Sequence, residues 1–197
     1  SAHANDDFSK SKAISELTDW NIYSPIWAPV SLDGQWLKLQ DKDPFDYAKV
    51  ERKIPASKEL KVSFDLQAGQ NDKGTLQIEF LDENGIACSR LELTPDGVFR
   101  AKGGSRFANM MKYEAGKTYH VEAVLSTADR NIQVYVDGKR VGLRMFYAPV
   151  ASIERIAFRT GVPRTFPTVD TPADQTYDLP GAGEQEPIAE YRIANVK

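Results

Sequence analysis

Alternation of apolar and polar residues with a period of two recurs through most of the chain and predicts strands. Leu60, Val62, Phe64 and Leu66 alternate with Lys61, Ser63, Asp65 and Gln67, the pattern of an antiparallel strand with one buried and one wet face. Tyr119, Val121, Ala123 and Leu125 repeat it against His120, Glu122, Val124 and Ser126, and a turn at Thr127 to Arg130 leads into Ile132, Val134 and Val136. Asp137-Gly138 supplies the two positive-φ positions of a two-residue type I′ hairpin. That hairpin pairs Val136 with Lys139, Tyr135 with Arg140, Val134 with Val141 and Ile132 with Leu143. In this register Ile132, Val134, Val141 and Leu143 share one face, and Gln133, Tyr135, Arg140 and Arg144 share the other.

Further strands are expected at 35–40, 48–54, 75–81, 86–93, 98–102 and 153–159, with "DENG" and "TPDG" as turns between them. Trp20 to Val30 is rich in aromatics, but Pro25 and Pro29 argue against a central strand there. Residues 1–12 are polar and read as a disordered N-terminal segment. Residues 161–187 hold five of the eleven prolines and no sustained alternation, so they read as one long loop. Ile188 to Lys197 alternates again, which returns the chain to a sheet and makes 13–197 a single domain. Short strands at intervals of about ten residues, with almost no helix, give an all-β class: two antiparallel sheets packed as a β-sandwich.

Charge changes this picture little. Lys and Arg number 25 against 28 Asp and Glu, which gives no basic field for nucleic acid. Cys88 is the only cysteine, so there is neither a disulfide framework nor a zinc cluster within the chain. No apolar run is long enough to cross a bilayer, and the start does not read as a signal peptide. The chain is expected to be soluble and to be a piece of an exported protein.

The runs "KVSFDLQ", "TLQIEFLDENG", "YEAGKTYHVEAVLSTADRNIQVYVDGKRV" and the closing "YRIANVK" resemble the concanavalin A-like jelly roll, in particular its laminin-G-like branch. The resemblance covers about Trp20 to Lys197. It implies a noncatalytic module attached to a secreted or periplasmic polysaccharide-degrading enzyme, with a neighbouring catalytic domain as partner. Enzymes of this fold carry signatures that the chain lacks. Laminarinase-like hydrolases use E-x-D-x-x-E, which is absent. Alginate-lyase-like members use Q-x-H, and here Gln77-Ile78-Glu79 has Glu where His belongs. His120 is the one imidazole inside the domain and reads as a structural or surface residue.

A carbohydrate site needs aromatic platforms beside planar polar groups. Trp20, Tyr23, Trp27 and Trp36 are candidate platforms, although large aromatics more often pack into a core. Arg100, Lys102 and Arg106, with Arg90 on a neighbouring strand and Arg144 further on, suit an anionic sugar such as a uronate, because guanidinium matches carboxylate bidentately. Arg90, Arg100, Arg144, Tyr135 and Trp27 are therefore the expected ligand-binding residues. Asp41, Asp43 and Asp46 in "DKDPFD" offer oxygen ligands for a structural calcium, or equally serve a turn. The expected function is carbohydrate binding in the service of a polysaccharide-degrading enzyme. The alternatives are a structural module docked on a catalytic domain through the proline-rich loop, and a lyase or hydrolase with an unrecognised site.

Overall fold

The computed structural model describes residues 5–161 and 185–197. Two short 3-10 turns, Phe8–Lys10 and Ile14–Glu16, precede fourteen strands. In chain order these are β1 (Trp20–Tyr23), β2 (Val30–Asp33), β3 (Trp36–Asp41), β4 (Lys49–Ser57), β5 (Glu59–Ala68), β6 (Leu76–Leu81) and β7 (Ala87–Leu93). The series continues with β8 (Val98–Gly103), β9 (Arg106–Lys112), β10 (Thr118–Ser126), β11 (Asn131–Val136), β12 (Lys139–Met145), β13 (Ile153–Thr160) and β14 (Ala189–Ala194). They form two antiparallel sheets of seven strands each: a first sheet ordered β1-β4-β13-β6-β7-β8-β9 and a second ordered β12-β11-β10-β5-β14-β3-β2. This is the expected all-β jelly-roll sandwich.

The alternating apolar positions meet between the sheets. Phe64 on β5 and Phe158 on β13 are fully buried and stand edge to face with centroids 5.1 Å apart. Leu76, Ile78 and Phe80 of β6, Leu91 of β7, and Val121, Ala123 and Leu125 of β10 join them. The strands flanking Pro25 and Pro29, β1 and β2, both lie at sheet edges, where proline nearby interrupts no ladder on two sides.

Three expectations are corrected. The start of the chain is not wholly a disordered tail: Asp6 bridges Val196, and Phe8 is buried edge to face against Trp20 at 5.6 Å. A single phenylalanine in a polar run carries no periodic signal, yet burying it removes a large apolar surface from water. The alternation also does not predict β9, because a bulge between Phe99 and Arg100 in its pairing with β8 inserts one extra residue and breaks the period. The β11–β12 hairpin keeps the expected pairs Val136–Lys139 and Tyr135–Arg140 and then shifts by one residue. Val134 faces Gly142, Gln133 faces Leu143, and Ile132 faces Arg144. Val141 is the extra residue of a β-bulge. A Cβ at residue 142 would lie 2.5 Å from Met110 Sδ, so a larger residue there would displace the Met110 side chain. The slip turns Leu143 outward, where it is 47% exposed, and turns Arg144 to the side of the buried Ile132.

β14 pairs with β3 and β5, which confirms that the chain returns to the sheet after its long connection. The proline-rich loop expected at 161–187 lies mostly outside the described residues, as does any docking role for it.

Candidate functional site

The outward face of the first sheet is assembled from the polar half of each alternation. Inward-pointing Leu76, Ile78 and Phe80 leave Gln77 and Glu79 of β6 on the opposite side, and inward-pointing Ile156 and Phe158 leave Arg155, Ala157 and Arg159 of β13 there. Cross-strand register then aligns these side chains into rows. One row crosses the whole sheet: Tyr23, Lys49, Arg159, Gln77, Glu92, Arg100 and Asn109. Beside it run Asn21, Glu51, Ala157, Glu79 and Arg90. Lys102 faces Phe107 further along.

The charges of this face are held in a network. Arg90 Nη2 lies 3.0 Å from Glu79 Oε2, and Arg155 Nη1 donates to Glu51 Oε1 at 3.0 Å. Arg100 donates to Glu92 through Nε at 2.9 Å and through Nη2, and Gln77 Nε2 donates to the other Glu92 oxygen at 2.9 Å. Aromatic rings carry the cations. Arg100 lies over Phe107 with its Cζ 4.1 Å from the centroid, and Arg159 lies over Tyr47 at 3.8 Å. Tyr147 arrives from the other sheet: its N–H donates to the Cys88 carbonyl at 3.0 Å, and its ring underlies Lys102 at 4.5 Å and Arg90 at 5.7 Å. Burial pushes the Tyr147 hydroxyl up to about 12, so it remains a neutral donor.

Buried polar atoms without a protein partner gather here. Gln77 Oε1, Arg90 Nε, Arg155 Nε, Arg159 Nε and Tyr147 Oη are all buried and unbonded, and all belong to this one face. Buried polar atoms are nearly always hydrogen-bonded, to protein, water or ligand. Five further such atoms lie elsewhere, on Trp20, Gln70, Ser89, Arg144 and Tyr191. At the edge of the polar face a cleft of about 460 Å³ is lined by Asp41, Tyr47, Thr75, Arg159 and Glu186, among others. Burial raises the Asp41 carboxyl in this cleft to about 6.

Two of the five expected ligand residues, Arg90 and Arg100, come together on this face, with Lys102 beside them. The other three do not. Arg144 is turned by the hairpin bulge to the inner edge, against Gly103, where a Cβ would lie 3.2 Å from its Nε. Tyr135 lies on the outward face of the second sheet and donates to Gln133 at 3.1 Å. Trp27 sits in the β1–β2 loop, partly buried, with its carbonyl bonded to Lys42 N–H. Arg106 is exposed at the rim opposite Gly103. Of the other aromatics, Trp20 is in the core, whereas Tyr23 stacks on Tyr47 at 5.2 Å and so extends the Arg159 end of the row. His120 lies on the second sheet with Nδ1 2.9 Å from Asp65 Oδ1.

Asp41, Asp43 and Asp46, the residues offered for calcium, bond within their own turn and to Tyr23. Asp41 Oδ1 accepts from Asp43 N–H, Asp43 Oδ1 accepts from Phe45 and Asp46 N–H, and the Asp46 carboxylate accepts from Tyr23 Oη and Tyr47 N–H. These are turn-forming bonds. Among the described residues no group of three His, Cys, Asp or Glu side chains is placed to hold a metal ion. No helix among them is long and apolar enough to cross a membrane.

Tyr47, Gln77, Tyr147, Arg155 and Arg159 are the site residues that sequence reasoning does not select. The pair Arg155 and Arg159 was within reach, because "IERIAFRT" places both on one face of a strand. What period alone lacks is strand order, and only the order β13-β6-β7-β8 sets them beside Gln77, Arg90 and Arg100.

Over its full length the chain is 89% identical to a segment of a solved sialidase, with a TM-score of 0.92, and it spans 18% of that protein. It also superposes along its full length on a non-specific endo-β-1,3(4)-glucanase, at 8% identity and a TM-score of 0.65, covering 89% of that chain. An alginate lyase of polysaccharide lyase family 7 matches over 95% of this chain and 98% of its own, at 14% identity and a TM-score of 0.55. At such identities these two likenesses speak for the fold alone. No curated protein sequence matches. The family model described as "Sialidase-like, CBM domain" matches residues 20–175, which include every strand of the polar face. The chain therefore belongs to the sialidase-like carbohydrate-binding-module family, and the role expected of it, an accessory carbohydrate-binding module, is the one that this family describes.

Proposed function

We propose that the module binds an acidic glycan on the outward face of the first sheet, through Arg90, Arg100, Lys102, Tyr147, Gln77 and Arg159. The observation that carries this reading is the cross-strand row of Arg159, Gln77, Glu92 and Arg100, with Arg159, Arg100 and Lys102 each held over an aromatic ring. Amides and hydroxyls meet sugar hydroxyls, and guanidinium edges receive a carboxylate. Cations outnumber carboxylates on this face although the chain as a whole is acidic, with a net charge of -3. A sugar carboxylate fits these guanidinium edges: uronic acid has one, and so does sialic acid, the sugar that the name of the 89% identical protein points to.

The chain spans 18% of that sialidase, and by analogy its partner is a catalytic domain in the same polypeptide. The module then raises the local concentration of enzyme on its glycan. We further place the parent protein outside the cytoplasm, secreted or periplasmic, because acidic polysaccharides and sialylated glycans are met there.

Calorimetric titration of a sialylated oligosaccharide and of an oligouronate tests the reading, at low and moderate ionic strength. Binding that weakens with salt, falls at least tenfold in Arg159→Gln, and is unchanged in Tyr135→Ala is the expected outcome. Binding that survives Arg159→Gln and Arg90→Ala but fails in Tyr135→Ala would move the site to the other sheet.

A further inference from the structure

On this face the partly buried cations fall into two kinds. Arg90, Arg100, Arg155 and Lys49 each have a carboxylate neighbour, namely Glu79, Glu92, Glu51 and Glu51. Arg159 and Lys102 have no carboxylate partner among the described residues. Each rests instead on an aromatic ring: Arg159 on Tyr47 at 3.8 Å and Lys102 on Tyr147 at 4.5 Å. A ring holds a cation in place without neutralising it, so each is a positioned positive charge outside any ion pair, although Glu79 and Asp41 act on Arg159 from further off. β13 and β8 are separated by β6 and β7, which makes three inter-strand steps, and the two residues lie in adjacent rows. At strand spacings near 4.8 Å, the backbones that carry the two cations are about 15 Å apart. Between them lie the ion-paired Glu79, Arg90 and Glu92, with Gln77, a band that is nearly neutral and rich in hydrogen-bonding atoms.

Resting on the binding face proposed above, we infer that this face carries two anion subsites rather than one. Its ligand is an oligosaccharide with acidic groups three or four rings apart. The arginine on Tyr47 takes one acidic group, the lysine on Tyr147 takes the other, and the neutral band receives the hydroxyls of the rings between. A monosaccharide reaches only one subsite. A chain that spans both gains by effective concentration, since the second contact is intramolecular once the first is made.

The test is calorimetric titration with two series of defined length, oligogalacturonates for carboxylate and sulfated oligosaccharides for sulfate, each from one to six rings. Expected is a rise in affinity of at least tenfold between two and four rings in one series, which also identifies the acidic group. Arg159→Gln and Lys102→Gln should each return the long ligand to the affinity of the short one, and the double variant should lose only a little more. Lys102→Gln changes a partly exposed side chain at a strand end, so its loss does not depend on folding; matching melting curves check Arg159→Gln. Affinity that does not depend on length, or a length effect abolished by one variant and untouched by the other, overturns the two-subsite arrangement and leaves glycan binding standing. No binding of either series, or of a sialylated oligosaccharide, overturns both.

Discussion

The outward faces of the two sheets arise from the same period-two alternation, yet they hold their charges in opposite ways. On the second sheet two cross-strand pairs are wet: His120 with Asp65 at side-chain exposures of 53% and 26%, and Lys61 with Glu122 at 70% and 30%. On the first, the side chains of Glu51, Glu79 and Glu92 are only 10%, 12% and 6% exposed and are locked to arginines. Desolvating an ion pair costs folding free energy that surface pairs avoid. The first face accepts that cost and gains a fixed array of polar groups, whereas the carboxylates of the second face, Glu190 at 29% included, are wetter. Fixed geometry is what a binding surface needs, since little ordering is left to be done when ligand arrives.

The comparison is sharpened most by removing one carboxylate from each face. Glu92→Ala strips the partner from both Arg100 and Gln77 and is expected to cost about 2–3 kcal/mol in urea unfolding. Glu122→Ala, on the other face, should cost under about 0.5 kcal/mol. Equal costs would remove the distinction. Next in size is binding: Arg90→Ala should weaken acidic-glycan affinity about tenfold, or about 1.4 kcal/mol, while His120→Ala leaves it unchanged in the same titration. Third, Gly138 has φ +84 in the hairpin of the second sheet, and Gly138→Ala should lower stability by about 1 kcal/mol without changing affinity. A loss of affinity there would tie the hairpin to the site.

The smallest effect concerns pH. Burial raises the Asp41 carboxyl from its ordinary 3.8 to about 6, so the folded chain holds this proton more tightly than the unfolded chain does. The unfolded state binds fewer protons over that window. Stability from this group is therefore present at low pH and is lost as pH rises from about 4 through about 6. Asp41→Asn keeps an oxygen to accept from Asp43 N–H and should flatten that slope, raising the melting temperature at neutral pH. Parallel melting curves for the two proteins across this range would contradict it.

The inner faces were legible in the sequence because burial imposes the period directly, as in Leu60 to Leu66 or Tyr119 to Leu125. The site was legible only in part, and for a stated reason. Arg90 and Arg100 lie near one another in sequence, on strands joined by a tight turn, so their proximity follows from local pairing. Arg159 reaches Gln77 across a sequence separation that no local rule bridges. Tyr147 enters from a connection between sheets, which alternation does not describe. Arg144 escapes the period because a single bulged residue inverts every side chain beyond it.

Amide chemical-shift mapping in the presence of an acidic tetrasaccharide tests the assignment of function to one face most directly. Perturbations should concentrate at Gln77 to Glu79, Arg90 to Glu92, Arg100 to Lys102, Tyr147 and Ala157 to Arg159, with His120 to Glu122 and Gln133 to Tyr135 unmoved. Perturbations confined to the second group, with the first sheet silent, would contradict it.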